Sequence, residues 1–253
     1  MNAERPKVTV ITGASAGLGR ALCQQFLQHG SVVAGIARRE AELAELAALH
    51  PDRFLPVPAD IADTAAVDAA FDRIREVCGP VSTLINNAAV HPRRSILDET
   101  AASFERTMQV NLTGMVACTV QALRDMVPAG QGRIVNVTSY AGDAPAPLSA
   151  AYSVSKGACR IFTKSLVADL HAEFPHIVVS EWIPGIMNTE MGPAHGIDPR
   201  LAARWGYRLA QMQDPGLAGI LFERDSSVVP PRGLRQRIRE RLTGRRPTRI
   251  MLD

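Results

Sequence analysis

Short β-branched runs alternate along the chain with longer helix-forming stretches, and the runs are apolar at consecutive positions rather than at every second one. A strand apolar on both faces has to be covered on both faces, which is the condition of a parallel sheet held between two layers of helices. The runs fall at 8–11, 32–36, 54–57, 83–85, 134–137 and 177–183, with helical stretches at 17–29, 40–49, 64–78, 103–126 and 151–174. Alternation of this kind implies right-handed strand–helix–strand crossovers and a doubly wound α/β sheet. With 46% apolar and 21% charged residues, the chain has the material for a sizeable core and is far from a disordered composition. No repeat or linker interrupts the pattern, so one domain over 1–253 is expected.

Composition also excludes several function classes. The formal net charge of +3 makes no global electrostatic case for nucleic acid. No apolar stretch approaches the roughly 20 residues of a membrane span, and residues 2–7 are polar rather than leader-like; no membrane association and a cytoplasmic location are expected. Cys23, Cys78, Cys118 and Cys159 form no C-x-x-C pair and read as free thiols of a reducing compartment.

Directly after the first run comes Thr12-Gly13-Ala14-Ser15-Ala16-Gly17-Leu18-Gly19. Glycines let a backbone turn tightly and approach a pyrophosphate, and the helix that follows offers free N–H groups and a positive dipole end. Taken alone the turn could also be a tight strand–helix connection; its place between strand and helix favours a dinucleotide. The second run ends in Ile36-Ala37-Arg38-Arg39, without the acid that would grip a ribose 2′-hydroxyl. Guanidinium groups there attract a 2′-phosphate, so NADP(H) is expected over NAD(H). The alternative is a solvated arginine pair at a helix start.

Tyr152 and Lys156 are four residues apart at the start of a predicted helix and share one face. A phenol is a poor acid–base catalyst at neutral pH, and a nearby ammonium favours its ionised form. Such pairs also occur on ordinary helix surfaces. Here Ser139 ends the fifth run, at the sheet edge where ligands bind in open α/β folds, and its hydroxyl can either polarise a carbonyl or cap a turn.

Taken in order, TGASAGLG at 12–19, Asp60, Asn-Asn-Ala-Ala at 86–89, Asn111, Ser139, Tyr152/Lys156 and Pro184-Gly185 with Thr189 resemble the short-chain dehydrogenase/reductase family from about Lys7 to Met191. The resemblance implies a single Rossmann-like domain, with the cofactor-binding part at about 1–140 and the catalytic and substrate part at about 139–253. It implies catalysis by Asn111, Ser139, Tyr152 and Lys156. It implies cofactor contacts from Gly13, Ser15, Gly17, Leu18, Gly19, Arg38, Arg39, Asp60, Ile61, Asn87, Ala88, Lys156, Pro184, Gly185 and Thr189. Within that set Asp60 would lie near the adenine, Asn111 would hold a water in a relay to Lys156, and Thr189 would meet the carboxamide. The activity implied is hydride transfer between nicotinamide and a carbonyl or alcohol carbon of a small, fairly apolar or carrier-tethered substrate. An imine or enone step at the same site, or a cofactor-binding regulatory protein without turnover, are the alternatives. A homodimer or homotetramer is implied as well.

Some residues depart from that pattern. Ala89 stands where a glycine is usual, which is harmless if φ stays negative there. Glu181 and Trp182 stand where small or aliphatic residues are usual, and a carboxylate in that strand needs a partner or water. Arginines crowd the segment 232–249, expected to include a helix at 233–243 and a last strand at 248–252. They are either a docking surface for an acidic carrier protein or a solvated face. Met187, Met191, Trp205, Tyr207 and Met212 lie in a region read as turns and small helical patches, and form either a pocket wall or lid-to-core packing. His91 and His195 lack metal-ligand company, so no metal is expected; either could face the pocket or be structural.

Overall fold

The computed structural model describes residues 7–229 and 248–252. One eight-stranded sheet runs through it in the order β3-β2-β1-β4-β5-β6-β7-β8. The strands are β1 (Val8–Thr12), β2 (Val32–Ala37), β3 (Phe54–Pro58), β4 (Val81–Asn86), β5 (Gly132–Val137), β6 (Ile177–Ile183), β7 (Leu221–Glu223) and β8 (Ser226–Ser227). Every pairing is parallel except β7 with β8. The chain winds outward from β1 to β3, then returns to place β4 on the other side of β1. This reversal opens a crevice at the carboxyl ends of β1 and β4.

Helices α1 (Gly17–Gln28), α2 (Glu40–Leu49) and α7 (Pro199–Gln211) cover one face. Leu22 and Phe26 of α1, Leu43 and Leu46 of α2 and Leu209 of α7 share a core there with Ile11 and Trp182. Helices α3 (Thr64–Cys78), α5 (Gly114–Ala129) and α6 (Ala150–Leu170) cover the other, where Phe71, Ile74, Cys118, Met126 and Leu166 pack on Val8, Val10 and Val179. Neighbouring residues of β1 thus go to opposite cores, as the unbroken apolar runs require. A Cβ on Gly206 would come within 2.7 Å of the Trp182 ring and 2.8 Å of Leu22; the absent side chain lets α7 lie close on α1 and β6.

Three sequence expectations need correction. The helix expected at 103–126 is α4 (Ala101–Met108), a π-helical turn (Gln109–Thr113) and α5; helical composition does not register one extra residue in a turn. The stretch read as turns and small helical patches contains α7, thirteen residues opened by Asp198, whose side chain accepts from the Arg200 N–H, and by Pro199 at its first position. Residues 248–252 form an isolated bridge, Ser226 with Met251, rather than a strand, although Leu252 is buried. The cationic stretch expected to be helical at 233–243 lies outside the described residues.

Arg133 of β5 is wholly buried without a carboxylate among the described residues. Its guanidinium donates to the carbonyls of Leu209, Ile134 and Val178 and to Ser180 Oγ, at 2.8–3.2 Å. Burial pulls its pKa down to about 9. The Leu209 contacts set it against the C-terminal turn of α7, whose last carbonyls form the negative end of the helix dipole. It therefore ties α7 to the sheet.

Candidate active site

Because β4, β5 and β6 are parallel, the loops that follow them, 87–100, 138–149 and 184–198, all leave one edge of the sheet. The glycine turn after β1 leaves the same edge. Gly13 and Gly17 have φ of +72° and +51°, which side chains rarely tolerate. A Cβ would come within 2.8 Å of Asn87 Nδ2 at Gly13, 3.0 Å of Thr189 Cγ2 at Gly17 and 2.7 Å of Asn87 Nδ2 at Gly19. The turn is pinned by Gly13 N–H donating to Ile36 O at 2.8 Å. Asn87 is pinned by its amide donating to Thr12 O at 2.9 Å, while the Asn87 and Ala88 N–H groups both donate to Thr12 Oγ1 at 3.0 Å. Helix α1 opens at Ala16 with no side-chain cap and no acid in its first turn. Its leading N–H groups and positive dipole end are thus left for an anion, and the room kept by the glycines fits a pyrophosphate.

The two arginines after β2 differ. Arg39 Nε donates to Ser15 Oγ of the glycine turn at 3.2 Å, and Arg39 Nη1 lies 3.4 Å from the Glu190 carboxylate. Arg38 is largely exposed and only 3.9 Å from Asp60 Oδ2, a weak contact in water. Asp60 closes its own turn by accepting from the Ala62 N–H at 3.0 Å. The Ile61 side chain, expected near a cofactor, is buried in the core, and Gly114 keeps its Cβ position open against it.

Tyr152 and Lys156 lie one turn apart in α6, with Lys156 Nζ 5.9 Å from the centre of the Tyr152 ring. Lys156 is buried and donates to Val137 O at 2.9 Å, which fixes its ammonium at the end of β5. Ser139 starts a 3-10 turn (Tyr140–Gly142), and its Oγ accepts from the Ala141 N–H at 3.2 Å; the capping role is thus occupied, while the hydroxyl proton remains available to a ligand. Asn111 sits in the π-helical turn, wholly buried. Its side chain accepts from the Val90 N–H at 2.7 Å and donates to Val90 O and Ser155 Oγ, both at 2.9 Å. Its side chain thus ties the loop after β4 to α6, while the expected relay to Lys156 runs through a water and calls for no direct bond between the two side chains.

Pro184 and Gly185 (φ +97°) turn the chain out of β6 toward Thr189. Ala89 is not among the non-glycine residues with positive φ, which are Leu148 and Arg224 among the described residues. Met187, Trp205, Tyr207 and Met212 are partly buried and pack against the core, with Tyr207 edge-on to Phe26 and stacked on His29. Met191 remains exposed, as does His195.

Three arrangements at this edge were not legible as contacts. The His91 ring stacks on Tyr152 with centroids 4.2 Å apart and 23° between planes. Asn86 donates to Asn136 Oδ1 and Thr119 Oγ1, and Asn136 donates to Thr163 Oγ1, at 2.9–3.0 Å, joining β4 and β5 to α5 and α6. Buried Glu181 lies 2.6 Å from Arg160 Nε and accepts from Thr138 Oγ1 at 2.7 Å; Arg160 also pairs with Asp143. This supplies the partner that a carboxylate in β6 demands. The paired amides carried only the signal of two polar residues within otherwise apolar runs.

Among known proteins, the family model for short chain dehydrogenase matches residues 7–198. An NADP-dependent (R)-specific alcohol dehydrogenase of Lentilactobacillus kefiri is 33% identical over 73% of this chain and 75% of its own. A carbonyl reductase [NADPH] 2 of Sus scrofa is 34% identical over 77% and 78%. The crystal structure of a 3-ketoacyl-(acyl-carrier-protein) reductase from Brucella melitensis complexed with NADH superimposes with a TM-score of 0.80 at 27% identity, covering 86% of this chain and 96% of that one. On the family match, these relatives and the shared sheet topology, the chain belongs to the short chain dehydrogenase family and is an oxidoreductase of that family.

Proposed function

We propose that the chain is an NADP(H)-dependent carbonyl reductase, or alcohol dehydrogenase in the reverse sense, acting on a small and fairly apolar substrate. The observation that carries this reading is Tyr152 one helical turn from a buried Lys156 whose Nζ is anchored on Val137 O, at the sheet edge faced by the glycine turn. The nicotinamide supplies or accepts a hydride when bound. Tyr152 Oη delivers a proton to the carbonyl oxygen in reduction, or takes it back in oxidation. Lys156 holds positive charge beside the phenol, and Ser139 Oγ donates to the same oxygen as negative charge develops on it. Asn111 acts through position, by holding Val90 and Ser155.

The dinucleotide seat is built from Gly13, Gly17 and Gly19, the open start of α1, Ser15, Asn87 and Thr189. Preference for a 2′-phosphate rests on Arg39, already bonded to Ser15, with Arg38 beside it. Two of the relatives, an NADP-dependent alcohol dehydrogenase and an NADPH carbonyl reductase, support this reading. The apolar character of the substrate rests on Leu97, Leu148, Ile186 and Met191, exposed on the three loops around Tyr152.

Titrating the protein with NADPH and NADH side by side tests the cofactor assignment. A preference for NADPH of tenfold or more, about 1.4 kcal/mol, is expected, and a preference for NADH refutes it. Turnover of a ketone that survives in Tyr152→Phe refutes the proton-transfer role.

A further inference from the structure

His91 lies in the loop after β4 between two fixed points. On one side the Val90 N–H and carbonyl both bond to the Asn111 side chain, at 2.7 and 2.9 Å. On the other the Arg94 N–H donates to Leu148 O at 3.0 Å, and Arg94 bridges to Ser149 at the start of α6. The imidazole is held as well. Its Nε2 is 2.9 Å from Ser149 Oγ, which is itself 3.3 Å from Pro147 O. A carbonyl oxygen only accepts, so Ser149 gives its proton to Pro147 and its lone pair to an Nε2–H. Burial, and next the charge of Arg93, disfavour protonation of the ring. The result is a neutral, flat ring locked against the face of Tyr152, with centroids 4.2 Å apart.

We propose that His91, clamped by Ser149 and stacked on Tyr152, is a positioning residue that holds the Tyr152 phenol in its proton-delivering orientation. The inference rests on the reading of Tyr152 as proton donor. A half-buried phenol on a cleft wall otherwise has rotamer freedom, whereas proton transfer needs Oη within hydrogen-bond reach of the substrate oxygen. A displacement of about 1 Å can cost on the order of a hundredfold in rate. The stack restricts the ring from one face, and the helical backbone of α6 fixes its root.

His91→Phe keeps a flat ring and loses the Ser149 bond, while His91→Ala loses both. With NADPH and ethyl acetoacetate as the carbonyl probe, kcat in His91→Ala is expected to fall about tenfold, the upper end of what an aromatic pair contributes. KM for the probe and the NADPH Kd stay within about twofold, and the solvent deuterium isotope effect on kcat rises as proton delivery becomes limiting. His91→Phe recovers most of kcat. Wild-type kcat in His91→Ala beside an inactive Tyr152→Phe overturns this inference alone; equal losses in Phe and Ala, or a parallel loss of NADPH affinity, do so too. Turnover retained in Tyr152→Phe overturns the underlying reading instead. A readout independent of turnover is the ring-proton NMR signal of His91, shifted upfield by the stacked phenol. It moves downfield in Tyr152→Leu if the stack exists in solution, and its failure to move refutes the geometry.

Discussion

Gly19→Ala separates cofactor seating from folding. A Cβ at Gly19 would stand 2.7 Å from both Asn87 Nδ2 and the Gly13 carbonyl carbon, and closer still to the Gly13 oxygen. Neither neighbour is the free end of a flexible side chain. The Gly13 turn is tied to Ile36 O at 2.8 Å, and Asn87 is tied to Thr12 O at 2.9 Å. The turn therefore has to shift by a large fraction of an ångström. Overpacking of this kind costs about 1–3 kcal/mol, against roughly 1 kcal/mol gained from alanine's better helix propensity in α1. The net change in folding stability is about 0–2 kcal/mol, and the chain still folds. The same shift misplaces the N–H groups and closes the room left for the pyrophosphate, so NADPH affinity is expected to fall about a hundredfold, roughly 2.7 kcal/mol. Gly130→Ala is the control. Gly130 has φ +65° at the end of α5 with open space around its Cβ position. It should lose about 1–2 kcal/mol of stability to left-handed strain while binding NADPH normally. Urea denaturation and calorimetry on both variants make the comparison. If Gly19→Ala binds NADPH within twofold of wild type, the turn is a structural connection and the seating argument is wrong.

Arg39→Ser removes the guanidinium bonded to Ser15 and should weaken NADPH about 10- to 100-fold, as expected for a charge-assisted contact, while leaving NADH nearly unchanged in parallel titrations. Arg160→Leu strands the Glu181 carboxylate between α6 and β6 and should cost about 3–5 kcal/mol, whereas Arg160→Leu with Glu181→Leu recovers most of it; chemical denaturation of both checks this. His91 is held below the ordinary histidine value of 6.5 by burial and by Arg93. The unfolded chain therefore binds more protons than the native one between the native value and 6.5, and stability falls as pH drops through that window. The difference in unfolding free energy between wild type and His91→Phe, measured as a function of pH, should carry that slope; a flat difference removes the argument for a neutral native imidazole.

The strand–helix alternation, the glycine turn and the Tyr152/Lys156 pair were legible in the sequence because each is a local property. Apolar runs report two-sided burial, a glycine reports room or φ, and a four-residue spacing on a helix places two side chains on one face. Residues 177–183 could be assigned as β6 by composition alone. The π-helical turn at Asn111 could not, since one added residue leaves composition and periodicity almost untouched while redirecting the side chain toward Val90 and Ser155. Helix α7 was obscured because its aromatics, Trp205 and Tyr207, fit either a pocket wall or a core, and only its seat on α1 and Trp182 puts them against the core. At Glu181 the chain alone states that a partner is required; packing of α6 on β6 selects Arg160. The stack of His91 on Tyr152 had no local signal whatever. It exists because parallel strands deliver distant loops to one edge of the sheet, and which side chains meet there is decided by backbone hydrogen bonds on the neighbouring residues Val90 and Arg94.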